Sequence, residues 1–315
     1  MSIATLHRAP ISRDLARFVT DVGSVGPVRV VGGRTSWDVG RRAIADARDV
    51  KAPDTVIDVL SDELIVRCGA GTPVTDLDAA LSSARLQCPL DPIDAMRSTV
   101  GGVLSVGRSG VRRLRHGNVR DLLLEAQYVS ADGTLRRAGA PVVKNVTGFD
   151  ICRLLVGSIG TIAAIGEVVL RCQPAPDVRT WFVAEGIDPW LLRRTLFRPS
   201  SILWDGMHTY IHLEGSAAEV HAERAVFPRA NWTETDRPAM SNGRAVLSLD
   251  EQRAIRTSQD ASILGDRFLV EIGVGVVHGW DRPLTPPAAE VLAMNRQVKD
   301  AFDPTGRMNP GVLPW

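Results

Sequence analysis

The sequence predicts an α+β fold with two domains, the second of which contains a ferredoxin-like α+β unit. The first observation is length, because 315 residues make two domains of roughly 150 residues each. The second is composition, since 44% hydrophobic and 23% charged residues are typical of a folded globular chain. The third is a mixed order of predicted strands and helices without an internal repeat.

The first half of the chain opens with an amphipathic helix. Apolar residues over 11–22 recur at helical spacing behind Ser12, a candidate N-cap. A second helix is expected to start at Pro73 with Thr72 as its cap. The other expected elements are strands at 28–31, 55–59, 64–68, 122–129, 134–137 and 162–171 and a helix at 149–156. Asp132-Gly133 between two of these strands is typical of a hairpin turn.

The second half begins after Pro174 and Pro176. A strand from residue 178, a helix over 189–196, strands at 201–204 and 208–213, and a helix behind a Ser216–Glu219 capping box make a βαββα run. With a closing strand, this order indicates a ferredoxin-like unit. A polar loop at 241–265 with a short helix at 251–255, one strand at 268–277, and a helix at 288–302 follow. The expected domains are residues 1–176, a cap at 177–285, and a segment at 286–315 that returns to the first domain.

Charge and cysteine usage narrow the class of protein. Lys plus Arg (37) balance Asp plus Glu (36), which argues against a nucleic-acid partner. No long apolar run indicates a signal peptide or a spanning helix, so a cytoplasmic protein without direct membrane insertion is expected. Cys68, Cys88, Cys152 and Cys172 show no CxxC spacing, so neither a zinc nor an iron–sulfur site is expected and the thiols should be reduced and buried.

Glycine is concentrated in four loops, at residues 32–33, 101–102, 107–110 and 157–160. Such loops let backbone N–H groups approach a diphosphate closely, although tight turns alone explain any one of them. A Rossmann site is not indicated, because Val74 stands where the third glycine would follow Gly69 and Gly71.

The order of these loops resembles the FAD-binding flavoproteins of the vanillyl-alcohol oxidase and p-cresol methylhydroxylase type. The segments that carry the resemblance are VVGGRTS (30–36), STVGG (98–102) continuing through SVGRSGVRRLRHGN, KNVTGFD (144–150) followed by LLVGSIGT, and FDPTGRMNPG (302–311). Within that family, VKNVTGFDICRLLVGSIGTI and the short cap resemble the FAD-binding subunit of glycolate oxidase and its bacterial relatives. The resemblance implies that residues 1–176 form the family's two-subdomain FAD-binding domain.

The resemblance also implies FAD as the cofactor. The residues it assigns to FAD are Gly32, Gly33, Arg34, Thr35, Ser36, Ser98, Thr99, Gly101, Gly102, Ser105, Gly107, His116, Gly117, Lys144, Gly157, Ser158, Gly160, Thr161, Ile162 and Asn309. His116 stands where the family usually has an aromatic residue, and Gly107 where an Asn is common. Non-covalent FAD is expected, because Arg34 follows Gly33 where covalent members carry His, and Cys88 lies too far upstream of Gly101.

The activity that the resemblance implies is oxidation of a small 2-hydroxy acid such as glycolate by hydride transfer to flavin N5. A base near the substrate hydroxyl is required, and His278, His212 and His208 are the candidates. His208, Tyr210, His212 and Glu214 share one strand face, which is turned either to solvent or to the flavin. The chain lacks the paired-histidine HPxxxxxxH segment of metal-dependent relatives, so no metal ligands are assigned.

Three functions stay open at this point. The chain is a catalytic oxidoreductase subunit, a non-catalytic FAD-binding subunit for assembly or electron relay in a glycolate oxidase-like complex, or a reductase that uses NAD(P)H. A second flavin subunit and an iron–sulfur subunit are the expected partners, and they would also account for peripheral placement at the inner membrane. The arginines between Arg108 and Arg120 form either an anion site, a solvated face or a subunit contact.

Overall fold

The computed structural model describes residues 11–40, 46–141, 150–241, 243–258, 264, 267–279 and 287–312. These residues divide into two compact units. The first unit contains the described residues of 11–108, 118–174 and 287–312, and the second contains those of 109–117 and 175–279. The first unit is therefore discontinuous in sequence, and the short segment 109–117 clusters with the second unit.

The helices and strands alternate as expected for the α+β class. The helices are α1 (Arg13–Val22), α2 (Val74–Ser83), α3 (Val100–Val106), α4 (Arg113–His116), α5 (Ile151–Leu155), α6 (Pro189–Thr195), α7 (Ala217–Ala225), α8 (Leu249–Ser258) and α9 (Ala289–Phe302). The strands are β1 (Val28–Val30), β2 (Arg48–Val50), β3 (Val56–Leu60), β4 (Ile65–Gly69), β5 (Leu86–Gln87), β6 (Leu123–Val129), β7 (Leu135–Gly139), β8 (Ala164–Arg171), β9 (Gln173–Pro174), β10 (Val178–Glu185), β11 (Ser201–Trp204), β12 (His208–Gly215), β13 (Thr233–Thr235), β14 (Arg244–Val246), β15 (Leu269–Glu271) and β16 (Val276–His278). Within the described ranges, none of the helices is long and apolar enough to cross a membrane.

The first unit is built on a five-stranded antiparallel sheet in the order β3-β4-β8-β6-β7. Strands β6 and β7 form the predicted hairpin, in which the carboxylate of Asp132 accepts a hydrogen bond from the N–H of Thr134 (2.9 Å). Gly133 supplies the turn with a φ of 79°. Strands β1 and β2 form a separate parallel pair, and the next residues after β1 belong to the first glycine loop.

Helix α1 forms as predicted and packs on β8. Ser12 caps it by accepting a hydrogen bond from the N–H of Leu15 (3.0 Å). Leu15 is fully buried against Gly166, where an added Cβ would lie 2.6 Å from Leu15 Cδ1. The Ser12 hydroxyl also donates to the buried Glu167 (2.6 Å), whose other oxygen accepts from Arg67 (2.5 Å). Ser12 therefore both caps α1 and donates a hydrogen bond to the carboxylate of a buried ion pair.

Two expectations for the first unit are wrong. Helix α2 begins at Val74 with Pro73 in the N-cap position and no side-chain cap, so Thr72 does not cap it. Helix α3 occupies a glycine-dense segment for which the sequence predicted no element. Thr99 starts this helix by accepting a hydrogen bond from the N–H of Gly102 (3.2 Å), and the cap offsets the low helix propensity of glycine.

Helix α9 and the residues after it belong to the first unit. Lys299 Nζ donates to the carbonyl oxygen of Thr161 (2.6 Å) and to the carboxylate of Asp303 (2.5 Å). Arg307 donates to the carbonyl oxygen of Val22 at the end of α1 (2.6 Å). These charge-assisted bonds fix the C-terminal segment to two distant parts of the chain.

The second unit is a seven-stranded antiparallel sheet in the order β13-β10-β12-β11-β15-β16-β14. Its first four strands, with α6 and α7, follow the βαββαβ order of the predicted ferredoxin-like unit, and β13 is the closing strand. The Ser216–Glu219 capping box starts α7 as predicted. The single strand expected over 268–277 is instead the β15–β16 hairpin, because Gly273 and Gly275 turn the chain with φ of 81° and 76°.

The two faces of this sheet differ in polarity. One face packs on the helices of the unit through a buried apolar cluster that includes Phe182, Leu192, Ile211, Val220 and Val277. We call the opposite surface the polar face; it carries His208, Tyr210, His212, Glu214, Ser201, Glu271 and His278. All of these except His208 and Tyr210 are buried.

Candidate functional site

The first unit brings three of the predicted glycine loops together. Loop one (32–36) follows β1, loop two (97–107) contains α3, and loop three (157–161) lies between α5 and β8. The hydroxyls of Thr35 in loop one and Ser98 in loop two lie 3.1 Å apart. The N–H of Ile159 in loop three donates to the carbonyl oxygen of Ser105 in loop two (2.8 Å). The three loops therefore form one continuous surface.

Loop one offers a run of unused backbone donors. Among the described residues, no protein acceptor is bonded to the N–H groups of residues 32–36. Arg34 has a φ of 57°, and successive N–H groups around a left-handed residue form a concavity that suits an anion. The Arg34 guanidinium donates to Asp49 (3.2 Å) and lies 4.9 Å from the ring of Trp37. Its charge is therefore paired with a carboxylate.

Three glycines in these loops are required by contacts within the protein. A Cβ on Gly33 would lie 1.4 Å from the carbonyl oxygen of Arg97, and a Cβ on Gly101 would lie 2.8 Å from that of Ala70. A Cβ on Gly107 would lie 2.8 Å from the Cα of Gly157. These glycines allow one loop backbone to pack on another, and they shape the surface that a ligand would meet.

Loop three, in contrast, faces open space. Gly157 has a φ of 87°, and no atom of the described residues would lie within 4 Å of an added Cβ. Gly160 has a φ of 67°, and in the same part of the chain an added Cβ would approach only Nδ2 of Asn309, at 3.8 Å. That amide donates to the carbonyl oxygen of Ile159 (2.6 Å), whereas the buried Oδ1 of Asn309 has no partner in the described part of the chain. Loop three therefore leaves space for a ligand next to a hydrogen-bond acceptor.

Other predicted cofactor residues have structural contacts. The hydroxyls of Ser158 and Thr161 donate to the carbonyl oxygens of Leu155 (2.8 Å) and Ser158 (2.7 Å), and Ile162 lies in the core. Gly32 and Gly102 both face Thr99 Oγ1, and Ser36 accepts from the N–H of Val39 (3.1 Å). Lys144 lies outside the described residues. The roles assigned to these positions stay predictions.

His116 and Gly117 belong to the second unit. His116 Nε2 is hydrogen-bonded to the carboxylate of Glu214, which also accepts from Ser200 (2.7 Å) and Arg112 (3.2 Å). Burial alone would raise the pKa of Glu214, but the bond to His116 and the charge of Arg112 outweigh burial and hold it below its usual value. Gly117 ends α4 with a φ of 81°. This network fixes the segment 109–117 to β12.

The three candidate catalytic histidines share the polar face but are not neighbours. His208 is half-buried, and its Nδ1 lies 3.3 Å from Asp205. His212 is buried and stacks on Trp181 with ring centroids 4.7 Å apart. His278 is buried, and its Nε2 lies 2.6 Å from Oε1 of Glu271. Two strands, β11 and β15, separate His278 from the other two histidines, so strand spacing puts them roughly 14 Å apart or more.

Comparison with known proteins identifies the class. Residues 13–139 match the family described as FAD binding domain. This part of the chain is therefore an FAD-binding domain, of the p-cresol methylhydroxylase type, which confirms the predicted resemblance, fold class and cofactor. A solved structure of alkyldihydroxyacetonephosphate synthase shares the fold, with a TM-score of 0.70 at 14% identity over 96% of this chain and 75% of that one.

Three curated relatives are two glycolate oxidase subunits and a D-lactate dehydrogenase. Glycolate oxidase subunit GlcE of Escherichia coli is 26% identical over 91% of this chain and 92% of its own length. D-lactate dehydrogenase of Archaeoglobus fulgidus is 37% identical over 38% of this chain and 27% of its own length. Glycolate oxidase subunit GlcD of Bacillus subtilis is 31% identical over 44% and 30%. The chain is thus related to FAD-dependent oxidoreductases of the glycolate oxidase and lactate dehydrogenase type.

The residues of the first unit fit FAD. The unpaired N–H groups of loop one suit a diphosphate, because backbone donors in such a loop bind phosphate oxygens without a side chain. The open backbone of loop three leaves room for a ligand at Gly157 and Gly160, and Oδ1 of Asn309 has no hydrogen-bond partner among the described residues. Loop one and loop three would hold the diphosphate and neighbouring parts of FAD.

Sequence reasoning missed the carboxylates of the polar face. Glu271 was not singled out, although a lone glutamate in the apolar run FLVEIGVGVV signals a buried charge that needs a partner. In the sequence, Glu214 stands out only as one of the alternating polar residues of a strand. Its partner His116 lies 98 residues away in sequence, so no local pattern announces the pair.

Proposed function

We propose that this protein is an FAD-dependent oxidoreductase subunit that oxidises a small 2-hydroxy acid such as glycolate. The observation that carries the proposal is the similarity to a glycolate oxidase subunit over nearly the whole of both chains. The fit of loop one and loop three to FAD supports it. Bound FAD supplies the two-electron acceptor of the oxidation.

The chain's own residues would provide the proton chemistry. Oxidation of an alcohol to a carbonyl releases the hydroxyl proton, so a base must lie near that hydroxyl. Of the three candidates we favour His278, since it is buried and its ring is hydrogen-bonded to a carboxylate. His212 stacks on Trp181 and His208 is partly exposed beside Asp205, so both stay secondary candidates.

Anaerobic mixing of the purified holoprotein with glycolate or D-lactate tests the activity. Loss of the oxidised flavin absorbance near 450 nm, on the order of one equivalent per FAD, is the expected result. A flavin that no 2-hydroxy acid reduces would contradict the proposal. Acid precipitation of the same sample is a separate test of non-covalent binding, in which the yellow colour should stay in the supernatant and not in the pellet.

A second candidate function is a non-catalytic FAD-binding subunit of a glycolate oxidase-like complex. The observation that favours it is that a relative similar over nearly the whole of both chains is itself named as a subunit. In either case we propose a second flavin subunit and an iron–sulfur subunit as partners, which would place the chain at the inner membrane only through them. Co-purification with a tagged chain tests this assembly. A monomer that turns over a 2-hydroxy acid rapidly with oxygen or a dye would argue against it.

A further inference from the structure

Loop two ends against loop three, and the residue that follows it is an arginine. Gly107 ends α3 with a φ of 69°, and a Cβ there would lie 2.8 Å from the Cα of Gly157 in loop three. The N–H of Gly157 donates in turn to the carbonyl oxygen of Leu104 in α3 (3.0 Å). Arg108 is the next residue of the chain and belongs, like both loops, to the first unit. Its backbone therefore starts at the contact between loop two and loop three.

The side chain of Arg108 also lies within electrostatic range of loop one. The carboxylate that acts on its guanidinium is that of Asp38, which comes two positions after Ser36, the last residue of loop one. The N–H of Val39 donates to the carbonyl oxygen of Ser36 (3.1 Å), so this turn keeps Asp38 beside the loop. Asp38 itself is exposed. The charge of Arg108 is therefore near the row of backbone donors in loop one.

Arg108 is partly buried and lacks a bonded partner. In the part of the chain that the structure describes, no residue accepts a hydrogen bond from its guanidinium or forms an ion pair with it. Burial lowers the pKa of Arg108, and the charge of Asp38 opposes this only in part. The nearby Arg34 and Arg112, in contrast, each donate to a carboxylate. A cation that loses water without gaining an acceptor is unfavourable, so this position suits an anion from outside the chain.

Loop one and Arg108 supply complementary parts of one anion site. Among the described residues, the N–H groups of residues 32–36 have no acceptor. These donors bind phosphate oxygens but carry no net charge, so they leave the negative charge of a diphosphate uncompensated. We propose that Arg108 is the residue that neutralises the diphosphate of FAD, through charge-assisted hydrogen bonds from its guanidinium to phosphate oxygens.

A charged contact with the diphosphate has two consequences that a site made of backbone donors alone does not have. FAD affinity should fall as the salt concentration rises, because ions screen a guanidinium that is only partly buried. ADP, which contains the diphosphate but no flavin, should depend on Arg108 as strongly as FAD does. A guanidinium that contacted the flavin ring instead would affect FAD and leave ADP unchanged.

Three variants of the full chain, prepared as apoprotein, test the proposal. Arg108→Gln removes the charge, and Arg108→Lys keeps the charge without the planar fork of the guanidinium. The control is Arg120→Gln, which removes the same charge from an exposed position in the first unit. Quenching of flavin fluorescence gives the Kd of FAD at several NaCl concentrations between about 0.05 and 1 M, and competition with FAD gives the Kd of ADP. Thermal unfolding of each apoprotein is measured beside these titrations.

We expect Arg108→Gln to raise the Kd of FAD by about 10- to 100-fold at low salt, and that of ADP by a similar factor. Arg108→Lys should lie between Arg108→Gln and the wild type. The Kd of Arg108→Gln should also rise less steeply with salt than that of the wild type, whereas Arg120→Gln should stay within about twofold of the wild type throughout. The apoprotein of Arg108→Gln should have an equal or higher Tm, because an unpaired, partly buried charge has been removed.

Several results would overturn the proposal. An FAD Kd of Arg108→Gln within about twofold of the wild type would show that the guanidinium contributes no binding energy. A raised Kd for FAD without one for ADP would place Arg108 at the flavin and not at the diphosphate. Lower apoprotein Tm values for both Arg108 variants, with unchanged salt dependence, would assign the residue to loop packing. Because each readout is binding or unfolding, the outcome is separate from whether a 2-hydroxy acid reduces the flavin.

Discussion

Substitution of Gly157 by alanine separates backbone strain from ligand contact in loop three. Gly157 has a φ of 87°, and no atom of the residues that the structure describes would lie within 4 Å of the new methyl group. The methyl group therefore collides with none of these residues. Gly186 provides a matched control, because it has a φ of 69° and an equally open surrounding. Gly186 lies in the second unit, outside the three loops.

The two variants should lose similar stability and differ in FAD affinity. A left-handed conformation costs an alanine about 1–2 kcal/mol, or about 2–8 °C in Tm for a domain of 150–250 residues. A ligand atom in contact with the Gly157 Cα sits about 4 Å away, so the new carbon would come within about 2.5 Å of it. That overlap should weaken FAD binding at least tenfold, or about 1.4 kcal/mol.

The measurement is a titration of FAD into apoprotein of each variant, followed by quenching of flavin fluorescence, together with thermal unfolding of the apoproteins. We expect equal shifts in apoprotein Tm and a raised Kd only for Gly157→Ala. Equal Kd values for the two variants, within about twofold, would refute the assignment of loop three to FAD. A Tm shift confined to Gly157→Ala would instead refute the claim that its methyl group meets open space.

Three further predictions concern packing and ionisation. Gly33→Ala places a Cβ 1.4 Å from the Arg97 carbonyl oxygen, so urea unfolding should show a loss of about 3 kcal/mol; a loss below about 0.5 kcal/mol would disprove the close approach. The pKa of Glu214 is held below its usual value of 4.5, so its contribution to stability is present above that pH and is lost as the pH falls below it. The unfolding free energy of Glu214→Gln should therefore fall less steeply from pH 4.5 downward than that of the wild type. Burial raises the pKa of Cys68, Cys152 and Cys172 to about 12, so iodoacetamide at about pH 8 should leave these thiols unmodified in the folded protein and alkylate them after unfolding, as mass spectrometry would show.

Local signals in the sequence were sufficient for several elements. Ser12 caps α1, Asp132-Gly133 turns the β6–β7 hairpin, and the Ser216–Glu219 box starts α7, because each depends on residues within four positions of one another. The four cysteines are free and buried as expected. The ferredoxin-like order of the second unit also followed from the order of strands and helices alone.

Elements that depend on distant contacts were not predictable. Gly101 lies in a helix that the sequence did not indicate, and it is glycine because its backbone packs on Ala70. The run FLVEIGVGVV predicts one strand, although the positive φ values of its glycines make a hairpin. At the candidate site, the sequence predicts the glycine loops because glycine lets a backbone approach phosphate. In the structure, Gly33, Gly101 and Gly107 are required because a Cβ at each would collide with a neighbouring backbone or side chain. The pairing of Glu214 with His116 needs the folded sheet.

The anchoring of the C-terminal segment sets the order in which the chain can fold during synthesis. Asn309 bonds to Ile159, and Arg307 bonds to Val22 at the other end of the chain. The strands of the second unit leave the ribosome before Arg307 and Asn309 do. The segment 109–117, which belongs to the second unit, emerges earlier still. The second unit can therefore be completed during translation. The hydrogen bonds that Arg307 and Asn309 make with the first unit can form only after residue 309 has left the ribosome, so we expect FAD binding to follow release of the finished chain.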